Sequence, residues 1–449
     1  MRIPKAPPDF NKLLRMASAK ALLPNFAKPE LVNFVNSVND KYLPWDEFRH
    51  RPMPLELDPE LGWIAVAVPR FWQFRALPIS FYDQSDVLKF WTPPQHHEWL
   101  HRIDQQAGGT LGTTSRFAVQ ANDERYLWNS LMEEAIASSQ LEGASTTREV
   151  AKTMLRRRRK PKDKSERMIL NNYRAIQYIR ELRDENLTPK LLCKIQEIIT
   201  HETLDGSGRF RKPGDTDIVV EDTATREVLH RPPPHDQVEW RIAQLCEFAN
   251  TSHKPFIHPV IKASILHFAI GFIHPFADGN GRAARAVFYW YMLKHGYWLF
   301  EYLPLSRIFL RAPAKYSRAY LYAETDGGDV TYFTHYLLRA VCRALTELHE
   351  YLDKQQHDLH DAARLLRENP ELNHRQLALL YDAIRNQSQI YTIAQHAGLH
   401  HVVLATARKD LLGLTRLGFL SKARRGREWI FVPDARVVER IRKKLTKTS

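Results

Sequence analysis

Cysteine is scarce in this chain. Cys193, Cys246 and Cys342 are its three cysteines, about 50 and 100 residues apart. They form no CxxC or other metal-ligand spacing, so a disulfide framework and a structural zinc site are excluded. The thiols read as reduced, buried small hydrophobes. Long apolar runs are also missing, since the longest, Ala286 to Leu293, covers eight positions. A membrane span needs roughly 20. The opening residues MRIPKAPPDF hold no apolar signal core, so a cytoplasmic protein without a membrane partner is expected. There is no internal repeat, which excludes solenoids and propellers. No GxxxxGK[ST] is present, which excludes a P-loop NTPase.

What is present describes an ordinary folded chain. Its 449 residues are 44% hydrophobic, 11% aromatic and 26% charged, too apolar for disorder and long enough for two or three domains. The net charge of +14 is unevenly placed. Residues 371–449 hold 15 Lys and Arg against 6 Asp and Glu, so this end calls for an anionic partner.

Punctuation divides the sequence into three parts: residues 1–115 as a small N-terminal domain, 116–350 as a helical body, and 371–449 as a C-terminal domain. In the first, Trp63 to Val68 reads as a strand and AGGTLGTTS as a closing loop. In the second, apolar spacing is mostly helical, as at Ala263, Leu266, Ile270 and Ile273. One break interrupts it, where Ile218, Val219 and Val220, a polar turn, and Val228 and Leu229 read as a hairpin. The third reads as two short helices with Gly398 as a turn residue, a longer helix over about 402–417 stopped by Gly418, and a hairpin around Arg424 and Arg425. This is the outline of a winged helix-turn-helix. Arg408 and Lys409 fall on its recognition helix, and Arg424, Arg425 and Arg427 on its wing. DNA is therefore a candidate partner, against the alternatives of protein docking or a merely solubilising charge. The fold class expected is mainly α with a small β-hairpin.

The chemically dense stretch is HPFADGNGRAAR, His274 to Arg285. An apolar helix leads into it and another follows, so the motif is a loop entering a helix N-terminus. Gly279, Asn280 and Gly281 can turn successive backbone N–H groups inward, making a concavity suited to phosphate. Arg282 and Arg285, three apart, add forked donors for phosphate oxygens. Asp278 is a hard carboxylate of the kind Mg²⁺ accepts beside nucleotide phosphates. His274 can act as a base near neutral pH. These are the parts that phosphoryl or nucleotidyl transfer needs.

The stretch resembles, at every fixed position, the Fic-family signature HxFx(D/E)GNGRxxR. The similarity extends over about residues 122–350, and the hairpin at Ile218 to Val220 resembles the family's target-aligning flap. The resemblance implies transfer of AMP from ATP to a Ser, Thr or Tyr hydroxyl of a target protein. His274 would be the base, and Phe276 would anchor the loop. Asp278 would hold Mg²⁺ (or Mn²⁺), and the nucleotide would lie along Gly279, Asn280, Gly281, Arg282, Ala283, Ala284 and Arg285. The intact GNG favours AMP transfer over the phosphate transfer of the Doc-like branch. Many relatives carry a Tyr-Tyr pair near the adenine, and the nearest match here is Tyr316-Ser317.

Upstream, SSQLEG resembles the family's inhibitory signature [S/T]xxxE[G/N], on a helix over about 122–143. Ser138 and Glu142 are four apart and share a helix face. The resemblance aims Glu142 at Arg285, where a carboxylate displaces the γ-phosphate. The plainer alternative is a solvated Glu142 beside a Gly143 cap. The family's inhibited form can also run the reverse reaction, removing AMP.

Other signals weigh less. His97 to His101 fits HExxH, but no third zinc ligand is nearby, so an ordinary amphipathic helix is favoured. Arg156 to Lys160 is a basic run that reads as a solvated face, with nucleic-acid or target contact as the alternative. His258 and His267 read as capping or core residues. The leading expectation is an adenylyltransferase held in check by Glu142, with a homodimer left open. The second is a DNA-binding regulator whose core senses nucleotide.

Overall fold

The computed structural model describes residues 2–15, 23–25, 27–83, 86–108, 124–215, 218–222, 225–367, 372–385, 389–425 and 428–434. The chain divides into two compact units, Met1–Leu345 and Thr346–Ser449, so residues 1–115 share a unit with the helical body.

In the first unit, α1 (Pro29–Asp40) and α2 (Pro59–Gln73) precede an antiparallel pair, β1 (Arg75–Ser80) and β2 (Val87–Phe90), and then α3 (Pro94–Ala107). The expected strand at Trp63 to Val68 is instead the middle of α2. Asp58 caps this helix by accepting from Glu60 N at 2.8 Å, and Pro59 sits at its first position, so the segment enters as a helix. Trp63, Ile64, Ala65 and Val66 are all buried, which explains the unbroken apolar run.

The body follows with α4 (Glu124–Leu141), α5 (Arg148–Arg156), α6 (Lys164–Glu181), α7 (Pro189–Thr200), the hairpin β3 (Val220–Glu221) and β4 (Val228–His230), α8 (Val238–Asn250), α9 (Pro259–Ile273), α10 (Asn280–Lys294), α11 (Pro313–Thr325) and α12 (Thr331–Arg367). At its centre α9 packs on α10, and α6 and α7 pack on α10 in turn. Both central helices are buried on nearly every face, as their apolar sequences require. Starts are set by side-chain caps. Asp163 accepts from Glu166 N at 2.8 Å, Thr188 from Leu191 N at 3.1 Å, and His258 from Val260 N at 3.3 Å. His258 thus caps the helix that leads to the motif.

Buried polar groups fasten the N-terminal segment to the body. Arg70, on α2, donates to Asn39 Oδ1 (2.7 Å), Leu43 O (3.0 Å) and Tyr332 OH (2.8 Å). Tyr42 OH donates to Asp329 at 2.5 Å. Burial, with Asp326 close by, pushes the Asp329 carboxyl up to about 6. Arg241, on α8, donates to the carbonyls of Ser80, Phe81 and Tyr82.

The second unit holds α13 (His374–Arg385), β5 (Tyr391–Thr392), α14 (Ile393–His400), α15 (Leu404–Arg416), β6 (Leu420–Arg425) and β7 (Glu428–Pro433), with antiparallel strand order β5-β7-β6. Leu380, Ala383, Leu411, Leu414, Phe419 and Phe431 form its core. The strand β5 had no sequence signal. Gly398 lies inside α14, and the left-handed turn that ends this helix falls on His401, with φ 51°. Gly418 does take positive φ after α15. Arg427 lies outside the described residues.

Arg70→Ala strands Asn39, the Leu43 carbonyl and Tyr332 in a dry interior. The expected loss is about 3–5 kcal/mol from the first unit's unfolding transition, read by urea titration.

Candidate active site

Helix α9 ends at Ile273, and His274 turns the chain with φ 50°, a left-handed conformation that is strained for a residue other than glycine. Hydrogen bonds hold it there. His274 N donates to Ile270 O (3.0 Å), Arg211 Nε donates to His274 O (2.9 Å), and Arg211 N donates to Pro275 O (2.9 Å). His274 Nδ1 lies 3.2 Å from Gly271 O. A carbonyl only accepts, so the hydrogen sits on Nδ1 and Nε2 keeps its lone pair. Burial pushes this imidazole down to about 4, outweighing the opposite pull of the Gly271 carbonyl. At neutral pH the ring is a free base.

The loop after His274 is clipped by its own asparagine. Asn280 Oδ1 accepts from Phe276 N (2.9 Å) and Nδ2 donates to Phe276 O (2.8 Å), while the Phe276 ring is fully buried beside Phe210. Gly279 has φ 89°, and a Cβ there would come within 3.0 Å of Thr200 Cγ2. Gln196, on α7, braces the loop from below: Nε2 donates to Asp278 O at 3.0 Å and Oε1 accepts from Gly208 N at 2.6 Å. The first intrahelical bond of α10 runs from Ala283 N to Gly279 O. The preceding N–H groups therefore belong to the helix start, where a phosphate binds well.

Asp278 Oδ1 accepts from Gly279 N at 2.5 Å and from Arg282 Nη2 at 3.3 Å, and 42% of its side chain is exposed. Arg282 is fully buried and spends Nη1 on Ile199 O at 3.1 Å. Ala283 and Ala284 are wholly buried in the core. No cluster of three or more His, Cys, Asp or Glu that could hold a metal is found among the described residues.

Arg285 is met by Ser138 and Glu142 of the SSQLEG segment. Its Nε donates to Ser138 Oγ (2.8 Å), and Nη2 donates to Ser138 O (2.9 Å) and Glu142 Oε1 (2.8 Å). Burial opposes the Arg285 charge, but Glu142 more than restores it and holds the guanidinium above its usual range. Ser138 lies in α4 and Glu142 just past its end. The Glu142 carboxylate rests on the glycine loop itself, since a Cβ placed on Gly281 would meet Oε1 at 2.1 Å.

Beside this lies an aromatic cluster on α11. Tyr316 stacks on Phe309 with centroids 4.7 Å apart, and its OH lies 2.8 Å from His267 Nε2. Tyr320, one turn on, presses its ring edge on Gly271. The helical i, i+4 spacing of Tyr316 and Tyr320 was the available signal for this pair, rather than adjacency. Ile218, Val219 and Val220 lead into the small hairpin, with Val220 opposite His230. Arg211, Gln196 and His230 carried no motif and were missed.

His97, Glu98 and His101 are exposed on α3 with no third ligand among the described residues. In the basic run, Arg159 pairs with Glu166 at 2.7 Å and Arg156 donates to Asn129 at 2.9 Å. His267 is a buried member of the aromatic cluster.

Residues 186–292 match the Fic/DOC family. The chain carries a Fic/DOC domain over that segment. Curated relatives include Protein adenylyltransferase Fic of Nematostella vectensis, 22% identical over 175 residues (38% of this chain, 37% of the relative). That of Drosophila sechellia is 32% identical over 68 residues (15% and 14%). The chain thus spans well under half the length of the curated relatives it matches. A solved Fic family protein from Desulfovibrio desulfuricans G20 shares the fold, with a TM-score of 0.50 and 19% identity over 76% of this chain and 94% of that one.

Asn280→Ala removes both bonds of the clip and leaves the Phe276 amide group unpaired. A loss of about 2 kcal/mol is expected, read as a lower thermal midpoint of the first unit.

Proposed function

We propose that this chain transfers AMP from ATP to a Ser, Thr or Tyr hydroxyl of a target protein, and that Glu142 restrains the reaction. The observation that carries the reading is a neutral imidazole and a helix N-terminus on one loop, with a carboxylate lying on its glycines. His274 Nε2 removes the target hydroxyl proton, and the freed oxygen attacks the α-phosphorus. The bond from that phosphorus to the bridging oxygen of the β-phosphate breaks, and pyrophosphate leaves. Backbone N–H groups at Asn280 and Gly281 hold phosphate oxygens through this exchange, and Arg285 takes the terminal phosphate once Glu142 withdraws.

Asp278 fits a Mg²⁺ (or Mn²⁺) ion, because one of its oxygens is engaged and nearly half of the side chain faces solvent. A single carboxylate beside substrate phosphates is a common Mg²⁺ arrangement, and the ion would neutralise phosphate charge. The Fic/DOC match and the likeness to protein adenylyltransferases support this chemistry. Among the described residues no helix is long and apolar enough to cross a membrane.

The second unit supports a separate nucleic-acid contact. Its helix pair α14 and α15 followed by the β6–β7 hairpin reads as a winged helix-turn-helix. Arg408, Lys409, Arg424 and Arg425 are exposed, and Lys422 and Arg424 both lie over the Trp429 ring at 3.7 and 4.6 Å. Such placement suits phosphate contact. A DNA-binding regulator that only senses nucleotide would have no use for the His274 base.

Intact mass spectrometry after incubation with ATP and Mg²⁺ tests the main reading. Glu142→Gly is expected to raise an adduct of about 329 Da on the chain itself, and His274→Ala to abolish it; an adduct of about 80 Da would mean phosphate transfer instead. Equal incorporation by wild type and Glu142→Gly would remove the restraint.

The pH profile of the Glu142→Gly variant should show no inflection for the base at the ordinary histidine value near 6.5. His274 sits near 4, so its free-base form persists as pH falls and is lost only as pH approaches that value. For the second unit, Arg408→Glu with Lys409→Glu should weaken duplex DNA binding and lower the salt slope by about 2. An unchanged slope in a titration from low to high salt would exclude those contacts.

A further inference from the structure

The carbonyl end of α9 leaves a set of backbone acceptors that the helix cannot satisfy. In this chain they are taken one by one. Ile270 O accepts from His274 N, and Gly271 O lies against His274 Nδ1. Phe272 O lies 2.8 Å from His230 Nε2, and Ile273 O and His274 O accept from Arg211. Arg211 stands just before the hairpin excursion, and His230 is the last residue of β4. Both roots of the hairpin therefore grip the turn that carries His274.

His230 does more than close the account. It is 8% exposed, and its ring lies 5.3 Å from that of Phe272. Its Nδ1 lies 2.7 Å from Glu324 Oε2, and Glu324 follows Tyr320 by one turn on α11. The backbone of His230 pairs with Val220 across the hairpin. One imidazole thus joins three parts of the site: the hairpin, the end of the helix that aims the base, and the helix bearing Tyr316 and Tyr320. A shift of the hairpin cannot leave the Phe272 carbonyl untouched, and that carbonyl is two residues from His274.

We infer that His230 is a positioning residue that fixes the register between the target-docking hairpin and the His274 base, with Glu324 orienting its ring. It touches neither nucleotide nor target and acts through Phe272. This rests on the adenylyl-transfer reading above, since the base needs a docked hydroxyl at a set distance. Misplacement of reacting groups by about 1 Å can cost roughly 100-fold in rate.

The test uses the full chain in the Glu142→Gly background, with ATP and Mg²⁺ as the probe. His230→Ala is expected to cut AMP incorporation into the chain by about 10- to 100-fold, while the ATP dissociation constant from calorimetry stays within about twofold. His230→Gln, whose amide can still donate to Phe272 O, should recover part of the rate. A general packing defect would lower ATP affinity together with rate and would not be rescued.

A second measurement does not depend on activity. Amide hydrogen exchange should quicken in His230→Ala both across residues 218–230 and across 271–276. Unchanged incorporation, a parallel fall in ATP affinity, or exchange that quickens in the hairpin alone would each overturn the inference. If Glu142→Gly itself takes up no AMP while the two exchange changes still appear together, the adenylyl-transfer reading falls and the mechanical link between hairpin and turn stands.

Discussion

The guanidinium of Arg285 is sealed inside the protein, and a buried positive charge must be matched by an anion or by several acceptors. Ser138 supplies two acceptors and Glu142 the charge. Glu142 is 31% exposed on its side chain, so the pair lies between a surface ion pair worth about 0–1 kcal/mol and a buried one whose rupture costs about 3–5 kcal/mol. A bias of that size moves a population by one to three orders of magnitude rather than locking it. On the proposed reading, a triphosphate that offers the same guanidinium more charge competes with Glu142, and that contest sets the state of the site.

That contest is meaningful only because the helix bearing Ser138 is rigidly seated. Glu134, on the same helix α4, is buried and accepts from Tyr289 OH at 2.8 Å and from Ser306 N at 2.9 Å. Glu133 pairs with Arg148 and Lys152, both on the next helix, α5. The Glu142 carboxylate thus follows an element fixed on two sides. Glu142 itself lies just past the end of α4, where its N–H donates to Ser139 O at 3.1 Å.

How much of this was legible in the sequence follows from where each residue lies in the chain. His274 to Arg285 is contiguous, so its glycines, base and carboxylate declared themselves together, and SSQLEG four-residue spacing pointed Ser138 and Glu142 the same way. Arg211, Gln196, His230 and Glu324 come from four separate segments and meet only after folding, which no local pattern records. Trp63 to Val68 was misread because the middle of α2 is buried at every position from Gly62 to Val66, so no polar residue there marks the helical period. Gly398 drew the turn assignment that belongs to His401, since glycine's permissiveness is no evidence that a turn uses it. Tyr316 and Tyr320 show the same lesson at a helix, where neighbours in space are four apart in sequence.

Because Glu142 and Arg285 are carried on one polypeptide, inhibitor and target are always present in equal number, and dilution cannot separate them. Neither synthesis level nor turnover of the protein alters the fraction of Arg285 that is paired. On the proposed reading, release therefore comes from what competes for the Arg285 guanidinium or displaces the end of α4, and not from how much of the protein a cell makes.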